Sequence, residues 1–393
     1  MAILLIHDRP GHFAEGRAAQ RAINGVVSYL EDVAEELRAQ GETVIQLALK
    51  KGLERRDAPA EGYYLRPSSG LRANPAEQGE IADLLDQLAP RVIHFHGINH
   101  VLPSRTIREL AQAWPTLMTF HDVGPFCPRE TRLTRNGEVC ARRQGLGCIT
   151  SGCFRPWEHG SAVKVLANAL TRPAKLQAMA QMNRALCPSG YIRDMVVQHG
   201  IAPGQVQVLP NYSRFAAETT PPPGKNRLLY VGRLTEEKGF GQLVAALRQM
   251  MDADWTLSVA GQGPLQAMGQ EVLGARVKFL GTVPPDAMKE LYQSSDFLAA
   301  PYMQPESFGM AGVEALSLAR PVLGYPAGGA AVWMRPDYGC VPVTPGDTDA
   351  LARALRQALQ SPPLVDPSRL PFSLPHHVQK LRQHYDEVAQ DHG

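Results

Sequence analysis

Short continuous apolar runs alternate with segments of helical period along almost the whole chain, and this alternation restricts the fold more than any other feature. Ile3–His7 is apolar up to its last residue, as a parallel strand buried on both faces should be. Asn24 then reads as a helix N-cap. Val26, Leu30, Val33 and Leu37 follow at spacings of 4, 3 and 4, and Gly41 closes the helix. Residues 44–49 read as the next strand. Residues 92–96 and 117–121 are two more, with a helix between them that Pro103 opens. Strand and helix in strict turn specify a doubly wound α/β domain.

The pattern breaks once and then restarts. Residues 210–226 carry Pro221, Pro222 and Pro223 and have no apolar period, so they read as a linker. Beyond them, 228–231, 256–260, 277–280, 297–300 and 321–325 are strands separated by helices. At 393 residues the chain holds two domains of ordinary size. The expected division is 1–209, a linker 210–226, a second domain 227–370, and a C-terminal segment 371–393. In that last segment Val378, Leu381, Tyr385 and Val388 form the apolar stripe of a helix packed on the domains. Two Rossmann-like domains of this kind are expected to face each other across a cleft, with ligands at the carboxyl ends of the strands. No run of 18 apolar residues occurs, and Met1 to His7 runs at once into Asp8 and Arg9. The expectation is a cytoplasmic chain with reduced cysteines and no membrane-spanning helix.

Two segments carry chemistry. In Pro-Tyr-Met-Gln-Pro-Glu-Ser-Phe-Gly-Met-Ala-Gly-Val-Glu, Glu306 and Glu314 flank the expected start of a helix at Gly309. Free amides at a helix N-terminus favour negative charge and hydroxyl oxygens, so Ser307, Phe308, Gly309 and Met310 offer donors to a sugar and its phosphate. Glu306 suits the opposite task of accepting from sugar hydroxyls, and Glu314 can accept from two vicinal ribose hydroxyls. Its apolar neighbours, Met310 to Leu318, argue against a solvated surface charge. The other segment is Gly232-Arg233-Leu234 followed by Glu236, Glu237, Lys238 and Gly239, directly after the strand that ends at Val231. Arg233 can grip a phosphate with two parallel hydrogen bonds and Lys238 adds a compact charge, which together offset a diphosphate without a divalent ion.

These segments, with Gly261 and Gly263 in Val-Ala-Gly-Gln-Gly-Pro and the run Ala-Arg-Pro-Val-Leu-Gly-Tyr-Pro-Ala-Gly-Gly, make the chain resemble a retaining glycosyltransferase of family 4, with the two-domain GT-B fold. The resemblance implies a metal-independent transferase that moves a hexose from a nucleotide diphosphate sugar, a UDP-sugar being favoured over a GDP-sugar. The acceptor would be a glycan, a lipid-linked molecule or a small molecule. It implies that Arg233 and Lys238 hold the diphosphate, that Glu306 and the amides after it hold the hexose, and that Glu314 holds the ribose. The base would lie near Gly261 and Val283. Gly25 would border the phosphates from the first domain, and His121 would face the transferred sugar. The chain departs from the family at three places. Asn24 stands where paired glycines are usual, and Ala330 to Trp333 stand where a glutamate is common after Gly328 and Gly329. The run from Pro301 to Glu306 is one residue longer than the usual form.

Cys127, Cys140, Cys148 and Cys153 share one loop, with spacings looser than a paired C-x2-C pattern. Structural zinc, disulfides and free thiols are all open readings there, and no cofactor is required for catalysis. Cys187 and Cys340 read as core residues, and His94 and His96, on one strand face, as structural. Asp122 reads as a capping residue before it reads as a base. Between Arg129 and Arg193, 11 Lys and Arg stand against 3 Glu. That excess suits either a solvated face or an anionic acceptor or membrane surface, including peripheral contact with an inner membrane. No nucleic-acid partner is expected. Competing functions are a sugar-nucleotide epimerase, a phosphorylase and a non-catalytic nucleotide-sugar-binding partner. A nicotinamide dehydrogenase is disfavoured, since no G-x-G-x-x-G follows the first strand.

Overall fold

The computed structural model describes residues 2–8, 25–50, 55–59, 62–67, 74–98, 101–134, 136–153 and 162–392. Asn24, read above as an N-cap, lies outside them. The chain divides into two units. Among the described residues, one takes in the first strand, Val26–Pro210 and the chain from His377 on, and the other takes in Gly25 and Asn211–His376.

The first unit is an eight-stranded sheet. Its elements are β1 (Ile3–His7), α1 (Gly25–Ala39), β2 (Val44–Lys50), β3 (Arg56–Ala58), β4 (Tyr63–Pro67), α2 (Pro75–Leu88), β5 (Val92–His96), α3 (Ser104–Ala113) and β6 (Thr116–Thr119). They continue with α4 (Leu146–Thr150), α5 (Ala162–Met179), β7 (Arg184–Cys187), α6 (Gly190–Gln198) and β8 (Val206–Val208). The strand order is β3-β4-β2-β1-β5-β6-β7-β8, and every pairing is parallel except β3 with β4. β1 and β5 are buried at every residue, which is why they read as unbroken apolar runs. Leu30, Val33 and Leu37 are buried on α1, and Gly41, with φ +86°, ends it in the left-handed region. Pro103 is the N-cap of α3.

The second unit is a six-stranded, all-parallel sheet. Its elements are β9 (Arg227–Val231), α7 (Phe240–Arg248), β10 (Thr256–Ala260), α8 (Gln266–Leu273), β11 (Val277–Gly281), α9 (Pro285–Gln293), β12 (Phe297–Ala300), α10 (Met310–Ser317), β13 (Val322–Gly324), β14 (Cys340–Pro342) and α11 (Thr348–Gln360). The strand order is β11-β10-β9-β12-β13-β14. Strand order reverses beside β9, so the loops after β9 and β12 leave adjacent strands at the same sheet edge, the usual ligand position in such sheets.

The proline-rich stretch differs from a free linker. Arg320, 1% exposed, donates to Thr220 O and Pro221 O, and Lys289 pairs with Glu218, so residues 211–226 lie along the second unit. The final helix, α12 (Leu374–His392), packs on the first unit. Val378, Leu381, Tyr385 and Val388 are buried, while Arg382 bonds Glu42 and Asp386 pairs with Arg91.

Candidate functional site

In the second unit, the loop after β9 and the loop after β12 are laced together by main chain. Met303 N and Gln304 N both donate to Glu237 O, at 3.1 and 2.8 Å. Gly239 (φ +74°) makes the close approach possible, because a Cβ there would stand 1.7 Å from Pro301 O. The Tyr230 hydroxyl lies 2.8 Å from Arg233 O and 3.1 Å from Lys238 O and splints the first loop from beneath. Burial, with Glu306 nearby, pushes its pKa far above the usual range, so it stays a neutral donor.

This lacing sets two charges side by side. The Lys238 ammonium is ion-paired with Glu306 and sits 5.7 Å from the centre of the Tyr302 ring. Glu306 is itself fixed by its backbone, which accepts from Gly329 N at 2.7 Å and donates to Ala327 O at 3.1 Å. Arg233 is exposed beside them. Ser307 and Phe308 lead to Gly309, the left-handed N-cap of α10, with Met310 its first residue. Trp333, fully buried, donates from Nε1 to Phe308 O at 2.6 Å and packs under the same turn. A Cβ on Gly312 would meet that indole at 2.0 Å. The departure after Gly328 and Gly329 thus supplies the floor beneath the helix start.

One turn into α10, Glu314 is 7% exposed. Tyr292 donates its hydroxyl to Oε2 at 3.0 Å, and Arg214 Nε lies 3.1 Å from Oε1. That guanidinium nitrogen is off the line of a hydrogen bond, so Arg214 acts as a counter-charge. Gly261 (φ +150°) follows β10, where a Cβ would stand 1.8 Å from Gly232 O, and Val283 lies half-buried between β11 and α9.

In the first unit a cavity opens beyond the ends of β1, β5 and β6, lined among others by Asp8, Gly97, Thr119, His121, Asp122 and Glu130. Asp122 Oδ1 accepts from Gly124 N at 2.8 Å, the capping role. His121 Nε2 is 2.9 Å from His96 Nδ1. Burial, reinforced by Arg172 and opposed by Asp8, pushes Lys175 down to about 7. Among the described residues, nothing stands within 4 Å of the position of a Cβ on Gly25, the first residue of α1.

The remaining candidates are placed as follows. Cys127 and Cys153 are buried, and Cys140 and Cys148 are half-buried. Burial, then the neighbouring thiols of Cys148, Cys127 and Cys140, raises the pKa of Cys153, so the four are neighbours. Among the described residues, however, no three His, Cys, Asp or Glu side chains are placed to hold a metal ion. The zinc reading therefore rests on the sequence alone. Cys187 and Cys340 are core residues at 0% and 4% exposure. The basic run from Arg129 to Arg193 is not a continuous solvated face. Arg132 is buried and donates to Arg142 O, Arg172 donates to Gly124 O, Lys175 is buried, and Arg184 bonds Glu387. Sequence reasoning missed Arg214 and Tyr292, whose partner Glu314 lies 100 and 22 residues away, and the supporting roles of Tyr230 and Trp333, which no local pattern signals.

Two family models match end to end: "Glycosyltransferase Family 4" over residues 23–212 and "Glycosyl transferases group 1" over 212–369. This chain belongs to the family-4-like GT-B glycosyltransferases. It is 25% identical to the phosphatidyl-myo-inositol mannosyltransferase of Mycobacterium leprae over 353 residues, 86% of this chain and 84% of that one. The chain spans 35% and 36% of the length of two other curated relatives that are 31% identical over 138 and 140 residues. Among solved structures, sucrose-phosphate synthase from Thermosynechococcus elongatus superposes with a TM-score of 0.63 at 17% identity, covering 99% of this chain and 96% of that one. Anabaena Alr3699/HepE in complex with UDP superposes at 0.59 and 16% identity, covering 100% and 98%. The two parallel α/β sheets of this glycosyltransferase are the shared fold. Among the described residues, no helix is long and apolar enough to cross a membrane.

Proposed function

We propose that this glycosyltransferase moves a hexose from a nucleotide diphosphate sugar, preferentially a UDP-sugar, with retention at the anomeric carbon and without a catalytic metal. The observation that carries the reading is the Lys238–Glu306 pair, held beside Arg233 and the start of α10. Lys238 and Arg233 would take the diphosphate. Glu306 with the amides of Ser307, Phe308, Gly309 and Met310 would take the hexose. Glu314 would take the ribose, with Gly261 and Val283 near the base. The named UDP complex of the HepE neighbour supports this class of donor.

The chemistry follows from where charge develops. As the bond from the anomeric carbon to the diphosphate breaks, negative charge grows on the leaving phosphate oxygen. Fixed cations and helix amides stabilise that charge most where it is largest. The acceptor hydroxyl oxygen forms the new bond, and its proton passes to the departing phosphate oxygen, so no side-chain nucleophile is needed. Donor binding also relieves Lys238 and Glu306 of each other, giving each a substrate partner in place of its present one. Gly25 would border the phosphates and His121 the transferred sugar. Arg132, Arg172, Lys175 and Arg184 of the basic run are engaged inside their own unit, so the charge excess overstates what an anionic or membrane-borne acceptor would meet.

A thermal-shift panel of UDP, GDP, ADP and their sugars tests the reading, followed by turnover with the stabilising sugar. At 100 times Kd a ligand that binds only the native state adds about 2.7 kcal/mol. A rise in melting temperature with one base, abolished in Lys238→Ala, is expected. No rise with any nucleotide would refute the donor site.

A further inference from the structure

We propose that His96 fixes the tautomer of His121, so that His121 meets its substrate as a hydrogen-bond donor through Nδ1–H and not as a base. The inference rests on the reading that places His121 at the transferred sugar.

His96 is the last residue of β5 and is 1% exposed. Its neighbours come from each element packed around it. They are His94 on the same strand with ring centres 4.0 Å apart, Tyr29 from α1 at 5.8 Å, and His121 beyond β6 at 5.1 Å. His7 at the end of β1 also acts on it, and no carboxylate among the described residues is one of the groups that shift it. Burial, then His94, His121 and His7, holds its pKa well below the usual range, so His96 is neutral.

A neutral imidazole carries one N–H, and the 2.9 Å contact from His96 Nδ1 to His121 Nε2 needs one proton between the two nitrogens. If His121 supplied it, the proton of His96 would sit on Nε2. That atom is buried and has no hydrogen-bond partner among the described residues. An orphaned buried N–H is rarer and more costly than an under-used acceptor. The favoured arrangement therefore has His96 Nδ1–H donating to His121 Nε2, which leaves a bare lone pair on His96 Nε2. His121, accepting at Nε2, must then carry its own proton on Nδ1.

His121 lines the cavity that also holds Asp8, Asp122 and Glu130, and the edge of its ring faces Tyr29 at 4.7 Å between centres. With Nε2 occupied by the His96 proton, the imidazole cannot accept the acceptor's proton there, and Nδ1–H can only donate. His121 would thus polarise or orient a substrate oxygen. His96 is a positioning residue that acts through it.

The test has a spectroscopic and a kinetic arm. Long-range proton–nitrogen correlation spectra of the full chain labelled with nitrogen-15 in histidine should show the His121 ring protonated on Nδ1 and bare on Nε2. A His121 proton on Nε2 overturns the proposal. His96→Asn keeps an amide donor where Nδ1–H stood, and His96→Phe removes it. With both variants folded by circular dichroism, His96→Asn should keep turnover within about threefold of the parent. His96→Phe should lose about tenfold or more in kcat, with KM for the nucleotide sugar within about threefold, the scale of one lost hydrogen bond. Equal losses in the two variants would overturn the proposal. If the parent chain turns over no nucleotide sugar, the transferase reading fails while the spectra still decide this one.

Discussion

Acid should destabilise the first unit well before its carboxylates titrate, because His94 and His96 are buried in their neutral forms. His94 is 0% exposed, with Nδ1 2.8 Å from the Tyr385 hydroxyl and Nε2 2.7 Å from Thr119 Oγ1. Burial, and then the nearby histidines, lowers the pKa of both rings well below 6.5. In the unfolded chain each takes up a proton as pH falls through about 6.5, while the native chain does not. The stabilisation is therefore complete above that value and drains away below it. Between pH 7.5 and 5.5 the unfolded-state binding term changes tenfold for each ring, or about 1.36 kcal/mol, so the pair loses about 2.7 kcal/mol. That is a large part of a typical domain stability of about 5–15 kcal/mol. His199 and His384 are lowered chiefly by burial too, and act in the same direction. The assay is urea unfolding at several pH values, followed at residues 92–96 by a brief deuterium pulse at one fixed pH and mass spectrometry. His376→Ala, at an exposed position, is the control and should leave the pH dependence intact. Stability of this unit that is flat within about 0.5 kcal/mol from pH 7.5 to 5.5, or that rises on acidification, would refute the argument.

Other expectations follow from the second unit and the thiols. Gly239→Ala must part the two loops, since its Cβ would meet Pro301 O at 1.7 Å. It should cost about 3 kcal/mol or more and abolish nucleotide binding by calorimetry. Lys238→Ala should lower kcat by about a hundredfold or more and also destabilise the unit, by leaving the Glu306 carboxylate without its cation. Adding Glu306→Gln should restore melting temperature but not turnover, and a double variant less stable than the single one would contradict the pairing argument. Turnover should resist chelators, so a requirement for added magnesium or manganese would contradict the metal-independent reading. Brief alkylation of the native chain should label Cys140 and Cys148 ahead of the four buried thiols. Protection of both would instead point to a bound ion or to oxidation.

What was legible in the sequence is what local pattern encodes. β5, β10 and β12 fall at their expected residues because strands buried on both faces write themselves as continuous apolar runs. Gly309 could be placed at the start of α10 because a glycine before an apolar helical run is a boundary signal. β3 and β4 went unread, since Arg56–Ala58 is too short and too polar to stand out and Tyr63–Pro67 is broken by Arg66. Residues 211–226 look like a free linker because what fixes them, Arg320 and Lys289, comes from about 70 to 100 residues away. The site's supports are hidden too, since no local pattern ties them to the residues they hold. Nothing near Glu314 in sequence points to Tyr292 or Arg214, and nothing near Lys238 points to Tyr230 beneath its carbonyl.

The chain leaves the first unit at Pro210 and re-enters it at His377, whose Nδ1 bonds Pro210 O at 2.7 Å and whose Nε2 meets the Tyr29 hydroxyl at 2.9 Å. In a cell this fixes an order of assembly. Apart from Gly25, the described residues of the second unit form one stretch, Asn211–His376, which is made before α12 is complete. The first cannot close over Tyr29 and His94 until α12 has emerged. At about 5–20 residues per second, the roughly 180 residues from Pro210 to the end of α12 take about 9–36 s to make. For that time the first unit must wait, its histidine cluster uncovered, for a helix made after the second unit.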